Sequence, residues 1–174
     1  MGAFYPFARN HNAIGQIDQE PYRFSEEIQA NMKNALKWRY ALLRYYYTQL
    51  YLNSIEGGMF WKPLFFEFPD DSKVYQDIDK NIMIGPALKL SAMLDEKNDR
   101  SQKFIFPSGI WCDIITEICM KQYSTGLVRL STTPDIVNIH LREGQILPIQ
   151  PETANNVMSS SDLDQIQTTL YSKW

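Results

Sequence analysis

Residues 25–58 read SEEIQANMKNALKWRYALLRYYYTQLYLNSIEGG, and this stretch decides which architecture can be predicted. Ser25 is a typical helix N-cap, and the two glutamates after it place negative charge in the first turn. Apolar side chains then recur at helical spacing at Ile28, Met32, Leu36, Tyr40, Leu43, Tyr47 and Leu50. We predict one continuous helix to about Ile55, ended by the glycines at 57–58 and roughly 45 Å long. Its broad apolar stripe must pack on a sheet or on further helices.

After the glycines, short β-rich segments alternate with Pro, Gly and Asp, which is typical of an all-β region. We therefore predict a boundary near residue 75, with an α/β part over 1–75 and a β-sandwich over 76–174. Residues 59–68 are almost continuously apolar and match a strand covered on both faces, as in a parallel barrel, although Pro63 favours an edge or an irregular position. Further strands are expected at 81–84, 87–94, 103–106, 111–115, 136–141 and 145–149.

Composition excludes several classes of protein. The 174 residues are 44% hydrophobic and 21% charged, as expected for one or two small globular domains. A net charge of −3 with dispersed basic residues predicts no binding to nucleic acid. The longest apolar stretches are about half the roughly 20 residues that a membrane-spanning helix needs, so no span is predicted.

The cysteines and histidines are too few to indicate a metal site. Two cysteines and two histidines supply few ligands for a zinc centre and too few cysteines for a disulfide framework, so we expect no metal and no cofactor. Cys112 has no base nearby in sequence, and a buried, inert thiol is the expectation there. The N-terminal residues lack the pattern of a secretory signal.

The densest polar cluster is Arg9-Asn10-His11-Asn12, in a loop before the predicted helix. A histidine between two amides can donate hydrogen bonds to sugar hydroxyl groups and accept them, which favours a substrate-binding role for His11. The alternative is a loop whose amides satisfy its own backbone. The other histidine, His140, falls inside an apolar strand, where a packed role is expected, and no serine or cysteine lies in a nucleophile elbow.

Four aspartates, Asp70, Asp71, Asp77 and Asp79, cluster in one turn. Glycoside hydrolysis uses two carboxyl groups roughly 5 to 9.5 Å apart, so the cluster is a possible acid pair. A catalytic acid, however, needs burial to raise its pKa, and acids in a polar turn are usually solvated. We predict a structural role for these aspartates.

Seven motifs, spread over roughly the first 150 residues, resemble glycoside hydrolase family 31, the α-glucosidase family. They are GAFYPFARNHN (2–12), QEPY (19–22), RYALL (39–43), KPLFFEFP (62–69), IGPAL (84–88), FPSGIWCD (106–113) and VNIHLR (137–142). They occur in the family's order and at its spacings. Cys112 stands where tyrosine is typical, and Lys62 replaces the usual arginine.

The resemblance implies a retaining hydrolase of α-linked glucosides, with a (β/α)8 barrel followed by β-sandwich domains. The family's two catalytic aspartate motifs lie upstream of GAFYPF and do not occur here, so the chain is expected to be a C-terminal piece with no catalytic residue of its own. His11 carries over as a residue that contacts the sugar.

The same resemblance implies two partners: an oligosaccharide or α-glucoside substrate, and the upstream part of the barrel. It suggests lysosomal, secreted or endoplasmic reticulum forms but leaves the compartment open. The alternative from another class is a non-catalytic carbohydrate-binding or interaction module derived from such an enzyme.

Overall fold

The computed structural model describes residues 1–94, 100–149 and the backbone of 169–172. Two helices, α1 (Glu26–Ala41) and α2 (Leu43–Glu56), precede a set of antiparallel strands. The strands are β1 Trp61–Pro63, β2 Asn81–Ile84, β3 Leu88–Ser91, β4 Ser101–Phe106, β5 Gly109–Asp113, β6 Cys119–Gln122, β7 Gly126–Ser131, β8 Asn138–Arg142, β9 Ile146–Ile149 and β10 Thr169–Ser172. The predicted order, α/β followed by a β-sandwich, is confirmed.

The helical segment begins and ends where the sequence predicts, but it is not one rod. The Ser25 hydroxyl accepts a hydrogen bond from the Ile28 N–H at 3.4 Å, and Gly57 ends α2 with φ +81°. The helix is interrupted at Leu42, whose ψ of −1° departs from the helical value of about −42°. Leu42 is fully buried, so packing against the core accompanies this local change of backbone.

The main sheet has six strands in the order β1-β2-β3-β8-β5-β6, and all its pairs are antiparallel. The interpretation of residues 59–68 as a parallel barrel strand is therefore wrong. Only β1 is extended there, and it pairs antiparallel with β2 before the chain turns into a 3-10 helix at Leu64–Phe66. Pro63 lies in β1, the edge strand of the sheet, as predicted. Proline suits an edge because it has no N–H with which to pair to a further strand.

Both faces of the main sheet are covered, which explains why every residue of β2 and β3 is buried. One face packs against α2, the N-terminal residues and β9, in a cluster that includes Phe4, Leu42 and Leu147. The other face packs against the two-stranded sheet β4–β7, through side chains that include Phe104 and Trp111. The sheet is thus the middle of three layers.

The structure corrects the expectation of a free thiol at Cys112. The β5–β6 pairing places Cys112 opposite Cys119, with the Cα atoms 3.9 Å apart, and the two cysteines form a disulfide. The pairing was not predicted, because residues 119–122 were not recognised as a strand. The bond links an edge strand to β5 across a short loop.

This disulfide is expected to contribute substantially to stability. Closing a loop of this length restricts the unfolded chain by about 2.5 kcal/mol in the chain-entropy model. We expect the double variant Cys112→Ala/Cys119→Ala to lose about that much free energy of unfolding in urea titrations. A reducing agent should lower the stability of the natural chain similarly and leave the variant unchanged. An equal effect of reductant on both proteins would contradict this account.

Candidate functional site

The first six residues, which we call the N-terminal segment, are held by side chains from the helices. The Arg39 guanidinium donates hydrogen bonds to the carbonyls of Ala3 (2.7 Å), Tyr5 (2.5 Å) and Pro6 (3.0 Å). The Tyr46 hydroxyl donates to the Phe4 carbonyl at 3.0 Å. Two side chains, seven positions apart, therefore bind four consecutive backbone carbonyls.

Packing reinforces these hydrogen bonds. The Phe4 side chain is 1% exposed and belongs to the same core cluster as Tyr46. Burial raises the pKa of the Tyr46 phenol, which keeps its proton available for donation. The Tyr5 ring contacts Trp61 of β1, with the ring centroids 4.6 Å apart. The N-terminal segment is thus fixed against both the helices and the main sheet.

The predicted sugar-contacting residue lies in the loop that follows, residues 10–19, which we call the His11 loop. The Asn10 amide donates to the Gln19 carbonyl at 3.0 Å, and the Asn12 amide donates to the Ile17 carbonyl at 2.5 Å. The two amides therefore satisfy the loop's own backbone, as the structural alternative predicted for asparagines. His11 lies between them and is exposed to solvent.

Two of the four clustered aspartates make structural contacts, Asp71 through its side chain and Asp77 through its backbone. Asp71 Oδ1 accepts from the Lys73 N–H at 3.0 Å, and its other oxygen accepts from the Thr125 hydroxyl. The Asp77 carbonyl accepts from the Asn81 amide at 3.0 Å. These contacts hold the turn against the sandwich, which is the role predicted for Asp71. Within 1–94 and 100–149, no group of three His, Cys, Asp or Glu side chains could hold a metal ion.

A buried polar cluster that was not predicted from the sequence lies inside the sandwich. Lys89 is fully buried, and its ammonium group donates to Asn81 Oδ1 at 3.1 Å and Ser91 Oγ at 2.6 Å. It also lies 4.0 Å from the centroid of the Phe106 ring. Burial holds the pKa of Lys89 well below its ordinary value. A lysine between apolar residues in LKL gave no signal of this cluster.

His140 faces Lys89 across the β3–β8 pair and is 2% exposed, so the predicted packed role is confirmed. Its Nε2 lies 3.9 Å from Asp113 Oδ2, and its buried Nδ1 has no hydrogen-bond partner among the described residues. Burial and the positive charge of Lys89 lower the pKa of His140 to about 4, although Asp113 acts in the opposite direction. This cluster is enclosed by protein, so it offers substrate no access.

The sequence matches two consecutive domains of one known protein family. Residues 1–49 match the TIM-barrel domain of glycosyl hydrolases family 31, and residues 57–147 match the family 31 C-terminal domain. The chain therefore belongs to glycosyl hydrolase family 31. The predicted last part of a (β/α)8 barrel followed by a C-terminal domain is confirmed, whereas the exact boundary near residue 75 stays a prediction.

Two curated relatives illustrate the similarity. The lysosomal alpha-glucosidase of Bos taurus is 38% identical over 164 residues, which is 86% of this chain and 17% of that protein. The probable maltase-glucoamylase 2 of Homo sapiens is 38% identical over 161 residues, covering 92% of this chain and 6% of that protein. The chain thus spans only a small fraction of these relatives.

Solved structures agree with this assignment. The glucosidase II alpha subunit superimposes with a TM-score of 0.79 at 26% identity, over 86% of this chain and 16% of that one. The Flavobacterium johnsoniae GH31 dextranase, complexed with glucose, gives a TM-score of 0.70 at 19% identity, over 76% of this chain and 16% of that one, and supports the fold alone. No helix in the described parts of the chain is long and apolar enough to cross a membrane.

Proposed function

We propose that this chain forms part of a retaining α-glucosidase-type hydrolase that cleaves O-glycosidic bonds of α-linked glucosides. In this proposal His11 contacts the sugar, and an upstream barrel segment supplies both catalytic carboxylates. The main support for this proposal is the position of His11. It follows the N-terminal segment, which Arg39 and Tyr46 hold in place, and both lie within residues 1–49, which match the family's barrel domain.

An exposed apolar stripe on α2 supports the role of an upstream partner. Tyr47, Tyr51 and Ile55 recur every four residues, so they lie on one helix face. They are 78%, 59% and 62% exposed, which is unusual for large apolar side chains in a row along a helix. We propose that the rest of the barrel covers this face and closes around the His11 loop.

The boundary between the two parts is also a proposal. The sequence favours a division near residue 75, with 1–75 in the barrel and 76–174 in the sandwich. The pairing of β1 with β2 and the family matches to 1–49 and 57–147 support an earlier division, between α2 and β1. Limited proteolysis followed by mass spectrometry would locate the accessible connection.

The test of the function starts with the protein in its own cells. An antibody against α1–α2 should capture a species several times larger than 20.3 kDa that contains this sequence and hydrolyses a chromogenic α-glucoside. Capture of a 20.3 kDa species alone, with no hydrolysis, would contradict the proposal. If that species still bound oligosaccharide, the non-catalytic module would be the correct alternative.

Substitution of His11 provides a residue-level prediction. Removal of a group that hydrogen-bonds a substrate hydroxyl costs about 2 kcal/mol, or roughly 30-fold in kcat/KM. We expect His11→Ala to cause a loss of this order in the captured hydrolase. Tyr123→Ala, which changes an exposed residue of the sandwich, serves as the control and should retain activity. Full activity in His11→Ala would remove His11 from the substrate site.

A further inference from the structure

We infer that Arg39 is a positioning residue for the substrate site: it fixes the N-terminal segment and thereby sets where His11 is presented to the sugar. The inference rests on the proposed role of His11. Arg39 lies in α1, 28 positions after His11, and its guanidinium contacts the backbone of residues 3–6. It acts on the site through the chain that leads to His11.

The chemistry of the contacts requires an arginine. One planar guanidinium carries five N–H donors in a fixed fork, and here two of its nitrogens bind three carbonyl oxygens on one side of a bend. A lysine ammonium is a single compact point and cannot reproduce this arrangement. The Arg39 guanidinium carbon also lies 5.8 Å from the centroid of the Tyr46 ring, so the two helix side chains that bind the segment contact each other.

The contacts leave the segment little freedom. Four consecutive carbonyls accept from Arg39 or Tyr46, and the Tyr5 N–H donates to the Gly2 carbonyl at 3.2 Å. His11 is only five residues beyond Pro6, and the Asn10 and Asn12 amides restrain the loop on either side of it. A displacement of the segment would therefore move the imidazole, and errors of about 1 Å in a substrate-positioning group can cost 10²-fold in rate.

The first test uses the 174-residue chain and does not depend on activity. The chain has two histidines, so their ring NMR signals can report separately on the loop (His11) and on the sandwich (His140). We expect Arg39→Lys to shift or broaden the His11 signal and to speed hydrogen exchange of the Tyr5 amide at least ten-fold, with His140 unchanged. Arg129→Lys is the matched control, since Arg129 makes an exposed hydrogen bond to Ser101 on the sandwich. An unchanged His11 signal in Arg39→Lys would overturn the inference.

The second test asks whether Arg39 acts through His11, using the hydrolase captured from cells and its variants. We expect Arg39→Lys to lower kcat/KM at least ten-fold, and the double variant Arg39→Lys/His11→Ala to be no worse than His11→Ala alone. Fully multiplicative losses would show that Arg39 acts independently of His11 and would overturn the inference.

The two proposals fail differently. Loss of activity in His11→Ala with full activity in Arg39→Lys would reject the positioning role and keep the proposed function. Full activity in His11→Ala, or no hydrolysis by the captured natural protein, would reject the proposed function. In that case the NMR signals would still decide whether Arg39 fixes the loop.

Discussion

Gly85→Ala is expected to destabilise the chain by about 3–5 kcal/mol, because the added methyl group meets a buried hydroxyl that makes two hydrogen bonds to the backbone. Gly85 lies in the turn between β2 and β3 with φ +58°, and an alanine Cβ there would overlap the Tyr45 hydroxyl oxygen. That hydroxyl donates to the Ile84 carbonyl at 2.8 Å and accepts from the Ala87 N–H at 3.1 Å. The methyl group would displace it and leave buried backbone groups without partners.

Gly144→Ala separates this overlap from backbone strain. Gly144 also has positive φ, +70°, but a Cβ there would meet open space. We expect this control to lose only about 1 kcal/mol, the usual cost of alanine in a left-handed conformation. Urea titrations would measure both variants. In a Tyr45→Phe background, which lacks the hydroxyl, Gly85→Ala should cost clearly less. Equal losses in Gly85→Ala and Gly144→Ala would show that Tyr45 does not determine the effect.

The chain is expected to lose stability as the pH falls from 6.5 towards 4, because of His140. The folded state lowers the pKa of this histidine from 6.5 to about 4, so the unfolded chain binds more protons between these values. Above pH 6.5, His140 is neutral in both states and does not change the free energy of unfolding. Near pH 4, its preference for the unfolded state lowers the free energy of unfolding by about 3 kcal/mol.

A comparison of pH slopes tests this expectation. The free energy of unfolding would be measured at several values from pH 7 to pH 4 for the natural chain, His140→Gln and His11→Gln. We expect His140→Gln to show a shallower loss, since a neutral amide cannot take up the proton. His11→Gln, which changes the exposed histidine, should keep the natural slope. An identical slope in all three proteins would mean that His140 does not control the acid sensitivity.

Much of the fold could be predicted from local pattern, and the failures have physical causes. The start of α1, the stop at Gly57 and the bounds 81–84 of β2 depend on capping and burial that the sequence carries directly. The interruption at Leu42 does not, because leucine and its neighbours are good helix formers and the change of ψ accompanies packing on the sheet. The strand β7 was missed because Leu127 is exposed although it is apolar, which obscures the alternation.

The candidate site was predicted only in part. A histidine between two asparagines indicated where a polar loop lies, but the pattern could not show that the amides bond the loop's own backbone. Arg39 was noted only as part of the helix and of the RYALL motif, with no role of its own, since contacts between residues about 35 positions apart leave no local signal. The disulfide was missed for a different reason: its two cysteines are only seven positions apart, but recognition of the pair required the β5–β6 register, and β6 was not predicted.

The contact between Tyr5 and Trp61 has a consequence for how this sequence can be recombined. It joins a residue of the part that matches the barrel domain to an edge strand of the part that matches the C-terminal domain. The Tyr45 hydroxyl joins α2 to the turn between β2 and β3 across the same division. A chimaera with its crossover between residues 49 and 57 would inherit the two sides of these contacts from different parents. Exchange of the C-terminal domain alone should therefore succeed only when the incoming domain keeps an aromatic residue at position 61, to pack on Tyr5, and a glycine at position 85, to leave room for the Tyr45 hydroxyl.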